Sequence, residues 1–212
     1  MFYPFSVSNQ QKVQQGQAWQ EDSVQDHELI EKIKTGDATA FQELFERYNK
    51  LILNVCYRLI GNKEEAEDVT QDVFLKIFRS ARHFKQQSRV STWIYRIAIN
   101  CSLNQLRRKK YQRWLSLDSE AESSEPAGFE PCSDDCPERS VHQREQEKIV
   151  LKAINSLPAD QRVALILQRY DGLSCQEIAT IFGCSIGAVQ ARLHRAKKNL
   201  YQKLLPYWKE FD

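Results

Sequence analysis

Apolar residues recur at steps of three and four through most of this chain, the period of helices that bury one face. The first such stripe, Leu29, Ile30 and Ile33, follows Asp26, a suitable N-cap, and stops at Gly36. Asp37 is placed to cap the next helix, whose stripe runs Phe41, Leu44, Phe45, Tyr48, Leu51, Ile52, Val55 and Leu59 before Gly61-Asn62 ends it. A third helix is predicted over Glu64–Arg82 and a fourth over Thr92–Lys110. The pattern resumes near Val141 and predicts helices over Gln143–Asn155, Ala159–Arg169, Cys175–Phe182 and Ile186–Leu205. No segment alternates with period two and closes in a hairpin turn, so the fold class is all-α.

Composition divides this helical pattern into parts. Residues 1–25 hold seven Gln and little periodicity, and are read as a disordered Gln-rich tail. Residues 114–140 carry eight acids, one base and three of the six prolines, the makeup of a flexible acidic linker. Two small helical domains remain, 26–113 and 141–208. Seven Gly and six Pro in 212 residues argue against a Gly-rich nucleotide fold or a turn-rich all-β fold. No apolar run approaches the ~18 residues that cross a bilayer. The N-terminus lacks a charged n-region followed by an apolar h-region. A cytoplasmic protein without membrane insertion is expected, its six cysteines mostly reduced.

The net charge of +2 conceals a segregation. Residues 26–112 carry 16 bases against 11 acids, and residues 141–212 carry 11 against 7. Val73–Leu117 contains 11 bases and no acid, and Ile178–Lys209 six bases and no acid. Charges that merely solvate a helix are usually mixed in sign. Two basic helical domains on an acidic tether therefore point to a polyanion touched at two places.

The stretch LSCQEIATIFGCSIGAVQARLHRAKKNL has the spacing of a helix-turn-helix. Ala179 is small where a second helix would cross closely, and Gly183 stands where the turn needs positive φ. On the second helix Ile186, Val189, Leu193 and Ala196 fall within an arc of about 80° and form the predicted packing face. Gly187, Ala191, His194, Arg195 and Lys198 point the opposite way, with Gln190 on the flank. Small residues permit close approach to a groove, and the longer ones donate to base edges and phosphates. Ser185 is placed to cap this helix, whose first N–H groups suit a phosphate.

Two further surfaces stand out in the N-terminal domain. The helix Glu64–Arg82 is predicted to bury Ala66, Val69, Thr70, Val73, Phe74, Ile77, Phe78 and Ala81. Its opposite face carries Asp68, Gln71, Asp72 and an apolar Leu75, either a protein-binding anchor or a lone exposed leucine. On the next helix Ile94, Ile97, Ala98 and Cys101 form one side of a broad apolar face. Trp93, Arg96, Asn100, Asn104 and Arg107 share an arc of about 80° on the polar side. Asn pairs with base edges, Arg with phosphate, and Trp stacks on an unpaired base. The polar loop before it, with Arg89, Ser91 and Thr92, has the character of one that holds a base drawn out of a duplex.

Cys132 and Cys136, with His142 six residues on, have a spacing compatible with zinc or a thiol switch; two exposed thiols on a tether is the simpler reading. No cofactor is expected. Cys56 and Cys101 fall on faces predicted to be buried, and Cys175 and Cys184 read as packing residues. No P-loop, HExxH or dinucleotide motif is present, so catalysis is not expected.

EEAEDVTQDVFLKIFRSA, STWIYRIAINCSLNQLRRKK and LPADQRVALILQRYDGLSCQEIATIFGCSIGAVQARLHRAKKNL, in that order, resemble the bacterial RNA polymerase sigma factors of the extracytoplasmic-function group. The resemblance covers both helical domains and omits the tail and linker. It implies a region 2 domain over 26–113 and a region 4 domain over 141–208. Asp68, Gln71, Asp72 and Leu75 would dock on core RNA polymerase. Arg89, Ser91, Thr92, Trp93, Arg96, Asn100, Asn104 and Arg107 would bind and open the −10 promoter element. Ser185, Gly187, Gln190, Ala191, His194, Arg195 and Lys198 would engage the −35 element. An anti-sigma factor is an implied partner, besides polymerase and promoter DNA. Two other readings compete. A helix-turn-helix regulator acting without polymerase would need an α/β receiver or sensor, and residues 26–113 are helical throughout. A site-specific recombinase would need a nucleophilic Ser or Tyr on a mixed α/β domain.

Overall fold

The structure, a computed structural model, describes residues 24–115 and 149–210. The Gln-rich tail, the acidic tether and the trio Cys132, Cys136 and His142 lie outside those residues. Every described element is helical. In the N-terminal domain these are α1 (Val24–Lys34), α2 (Ala38–Ile60), α3 (Lys63–Ser80), a short 3₁₀ turn (Ala81–His83) and α4 (Val90–Leu115). In the C-terminal domain they are α5 (149–155), α6 (Ala159–Arg169), α7 (Cys175–Phe182), α8 (Ile186–Leu204) and a 3₁₀ segment (Leu205–Glu210).

Local signals set most of the boundaries. The Asp37 carboxylate accepts from the Thr39 and Ala40 N–H groups and starts α2. Gly61, at φ 78°, ends it with its N–H on the Tyr57 carbonyl, a left-handed cap that a Cβ would strain. Asn62 then caps α3 through the Glu65 N–H, and Glu64 and Glu65 lie at the positive end of the helix dipole. Two boundaries depart from the pattern-based reading. Asp26 is not an N-cap: α1 already runs from Val24, and Asp26 is buried in its first turn. Its carboxylate accepts from the Tyr48 hydroxyl at 2.6 Å and pairs with Arg47, tying α1 to α2. Helix α4 begins at Val90 rather than Thr92, because the buried Val90 side chain anchors the first turn in the core. Ser91 and Thr92 are therefore helical rather than part of the loop.

Helix α2 is the centre of the N-terminal domain, packed by α1, α3 and α4. Ile30, Leu44, Ile52, Val73, Ile77 and Ile94 are fully buried there. Phe78 departs from expectation. It lies at the edge of the α3 stripe, rests one ring edge on Phe41 at 5.2 Å, and is 46% exposed. Cys56 and Cys101 are buried as expected. In the C-terminal domain α8 packs on α6 and α7. A second cluster of buried side chains joins the two domains: Val55 and Leu59 of α2 and Tyr95 and Ile99 of α4 pack with Val163, Leu167, Ile178 and Ile181. The 33 residues between the described segments thus connect two domains that touch.

The buried Asp26 contact gives a stability prediction. Asp26→Ala removes the acceptor that holds the Tyr48 hydroxyl and Arg47 across the α1–α2 seam, and is expected to cost about 1–3 kcal/mol in urea unfolding. Glu43→Ala, at the partner exposed to solvent, is expected to cost less than about 0.5 kcal/mol.

Candidate nucleic-acid interface

The recognition unit is built by caps. The Ser174 hydroxyl accepts from the Glu177 N–H while the Glu177 carboxylate accepts from the Ser174 N–H, a reciprocal box that starts α7. Gly183, at φ 64° and ψ 39°, ends α7 and turns the chain. Ser185 accepts from the Ala188 N–H at 3.2 Å and starts α8. Ala179, Val189, Leu193 and Ala196 are buried, as the spacing required. Ile186 is the exception among the predicted packing residues. It is the first residue of α8, one turn ahead of Val189, and stands 44% exposed.

The predicted groove-facing residues Ser185, Gly187, Gln190, Ala191, His194, Arg195 and Lys198 are all exposed. Space around Gly187 is open, so the backbone there is accessible to a ligand. One residue that the pattern did not single out fixes the orientation of α8. The Arg192 guanidinium pairs with Asp160 of α6 at 3.3 Å, donates to Cys184 Sγ at 3.1 Å, and lies over the Phe182 ring. It binds all three helices of the unit together while the outward face stays unencumbered.

Asp68, Gln71 and Asp72 are exposed along one face of α3, and Leu75 among them is 51% exposed. Phe78, three residues on along the same helix, is also exposed.

The residues proposed for an unpaired strand are divided by the structure. Asn100, Asn104 and Arg107 are exposed, and Arg107 donates to the Asn104 side chain at 3.0 Å. Trp93 is half-buried, its ring 4.9 Å from that of Phe84. Ser91 is buried and Thr92 half-buried, while Arg89 is exposed at the end of the loop. The loop over 84–89 is held to α1 by Gln86, which donates to Glu31 at 2.7 Å. An open depression of about 380 Å³ lies between α3 and α4 beside Asn100, lined by Lys76, Arg79, Ser80, His83 and Cys101 among others. Lys76 donates to Cys101 Sγ at 3.2 Å on its wall. The α3 residues there all fall in the acid-free window that begins at Val73.

Arg96 faces the second domain. Its guanidinium donates to the carbonyls of Thr180 (2.5 Å) and Ile181 (3.2 Å), the last turn of α7. A cation there meets the negative end of the helix dipole. One helical turn of α2 away from the buried seam, Arg58 donates to Asp171 at 2.9 Å and lies over the Tyr170 ring. Asp171 is only 5% exposed, and its burial pushes the carboxyl up to about 7 against the opposing pull of Arg58. Among the described residues no group of His, Cys, Asp and Glu side chains has the arrangement of a metal site.

Comparison with known proteins identifies both helical domains. The model of sigma-70 region 2 matches residues 44–111, and that of sigma-70 region 4 matches residues 147–200. The RNA polymerase sigma-H factor of Pseudomonas aeruginosa is 37% identical over 88% of this chain and 97% of its own length. The ECF RNA polymerase sigma-E factor of Haemophilus influenzae is 34% identical over 85% of this chain and 96% of its own. Among solved structures, the sigma factor RpoE of Bartonella quintana, in complex with the anti-sigma factor NepR, superposes with a TM-score of 0.58 at 27% identity. That match covers 77% of this chain and 96% of the other.

The buried carboxyl predicts a pH dependence of unusual sign. Its ordinary value is 3.8, so between that and about 7 the folded protein holds a proton that the unfolded chain releases. The contribution of Asp171 to stability is then greatest at low pH, falls as pH rises towards about 7, and is flat above. Asp171→Asn removes the titration. The stability of wild type relative to this variant is expected to fall between pH 5 and pH 7.5, measured by urea unfolding of both at each pH.

Proposed function

This chain belongs to the extracytoplasmic-function sigma factors of the sigma-70 family, and we propose from that premise how its surfaces divide the work of initiation. As a sigma factor it binds core RNA polymerase and directs transcription from specific promoters. The helical face of Asp68, Gln71, Asp72 and Leu75 docks on the polymerase. Acids around an exposed apolar anchor suit a partner helix with basic and apolar side chains. Gln190, Ala191, His194 and Arg195 read the −35 element in the major groove, with Ser185, Gly187 and Lys198 at the phosphates. Asn100, Asn104 and Arg107, with the basic depression beside Asn100, receive the melted −10 strand. Arg89, Thr92, Trp93 and Arg96 complete that surface, and Ser91 lies buried beneath it. The observation that carries this reading is the coexistence, on one chain matched by both family regions, of an exposed polar face on α8 and an exposed Leu75 beside Asp68 and Asp72 on α3.

The energetics favour work inside a complex. Opening DNA costs about 1–2 kcal/mol per base step, and stacking on a few side chains returns about 1–3 kcal/mol per base. A protein of 24.8 kDa with so few stacking residues needs the polymerase to share the cost. Its place of action is then the cytoplasm, and its role is that of a specificity subunit rather than an enzyme. The solved relative held by an anti-sigma factor supports a partner of the same kind for this chain.

Reconstitution tests the whole reading. The purified protein, bacterial core RNA polymerase and a pool of genomic fragments are expected to yield transcripts from sites that share two spaced elements, and none without the protein. Failure to initiate anywhere would remove the reading. Two substitutions separate its parts. Arg195→Ala is expected to weaken promoter discrimination at the −35 element by about 1–3 kcal/mol while polymerase binding is kept. Leu75→Asp is expected to abolish co-purification with core polymerase at unchanged helicity.

A further inference from the structure

We infer that Cys101 and Lys76 are the two halves of a reversible oxidative cross-link: peroxide converts the Cys101 thiol to a sulfenic acid, which the Lys76 amine captures as a sulfenamide. Cys101 of α4 and Lys76 of α3 meet in the wall of the open depression between the two helices. The Lys76 Nζ donates to the Cys101 Sγ at 3.2 Å, so an exposed amine already stands on a sulfur at the edge of the core. The other described cysteines lack this combination. Cys56 is fully buried, and burial pushes its thiol up, away from the reactive thiolate. Cys184 accepts from the Arg192 guanidinium, which stays protonated and is no nucleophile. Cys175 meets the Gln168 side-chain amide at 3.9 Å, a longer contact to a weaker nucleophile.

The chemistry balances with hydrogen peroxide as the oxidant. The Cys101 thiolate attacks one peroxide oxygen and the O–O bond breaks. Sulfur gives up two electrons and gains a hydroxyl, and the departing hydroxide takes up the thiol proton as water. The Lys76 ammonium releases one proton to solvent, and its amine attacks the same sulfur. The N–S bond forms as the S–O bond breaks, and the leaving hydroxide carries off an amine proton as a second water. The chain is then two hydrogens lighter, and the Lys76 charge is gone. A thiol reductant reopens the bond. The consequence for DNA rests on the proposed function: a strand in the depression loses one phosphate partner and meets α3 and α4 stapled across it, so peroxide weakens −10 engagement.

Peptide mapping by mass spectrometry tests the cross-link on the full chain, freed of reductant and treated with hydrogen peroxide. A peptide pair joining Lys76 to Cys101 is expected, two hydrogens lighter than the sum of its parts and released by dithiothreitol. Cys101 recovered at peroxide excess only as free thiol, as sulfinic acid or in a disulfide with Cys56 would overturn the inference. Lys76→Arg is a surface change that keeps the charge and removes the amine. The cross-link is expected to vanish there, with Cys101 carried on to sulfinic acid. A cross-linked mass that survives in Lys76→Arg would equally overturn the inference. Binding of a fluorescent random-sequence single-stranded DNA pool reads the consequence. The slope of log affinity against log salt is expected to fall by about 0.7 in the oxidised wild type and to recover with dithiothreitol. Lys76→Arg is expected to give the same slope with and without peroxide. A mapped cross-link with unchanged DNA binding would uphold the cross-link and remove only the assignment of the depression to the −10 strand.

Discussion

Helix α4 has apolar residues around most of its circumference, and such a helix is stable in water only if it is covered twice. Val90, Ile94, Ala98 and Cys101 are covered by α2 and α3, while Tyr95 and Ile99 are covered by the second domain. Among the described residues, a remaining strip with Asn100, Asn104 and Arg107 is left exposed for polar work, and Arg96 at its start is engaged by α7. Much else in the molecule answers to this arrangement: the position of α7, the buried ion pair at its margin, and the basic depression at the α3 edge.

The contact between domains is apolar in its middle and ionic at its rim. Burying the Asp171 carboxylate costs several kcal/mol before any pairing, and a single hydrogen bond from Arg58 offsets that cost only in part. A seam held this way is easily biased by a partner, because the apolar cluster favours closure while the buried charge opposes it. By contrast the helix-turn-helix is stapled from within. Caps at Ser174, Gly183 and Ser185 and the threefold engagement of Arg192 make α6, α7 and α8 one rigid reader.

What was legible in the sequence follows from the range of the forces involved. Caps and stripes are local, so the bounds of α2, α6 and α7 and the outward face of α8 could be read directly. A carboxylate before an apolar stripe usually caps a helix, but the partners of Asp26, Arg47 and Tyr48, are about twenty residues on and follow no local rule. Phe78 and Ile186 sit at the edges of their stripes, where the helical angle alone does not decide burial. The basic depression was foreshadowed by the acid-free window, yet Lys76, Arg79 and His83 converge with Asn100 only through the packing of α3 on α4. The breadth of the apolar face on α4 was visible, but its second cover was not, since a non-local partner leaves no periodic trace in the helix that receives it.

Both domains are on one chain, joined by 33 residues. Tethering turns their encounter into a first-order event at an effective concentration that reaches the millimolar range for short flexible connections. A seam whose two halves would scarcely associate as separate molecules can therefore be well populated within one. The same arithmetic limits its strength: a large partner that grips both domains at a spacing the seam cannot match has only a millimolar-scale competitor to overcome. Cutting the chain between residues 115 and 149 would abolish that advantage while leaving the described side chains of the seam in place.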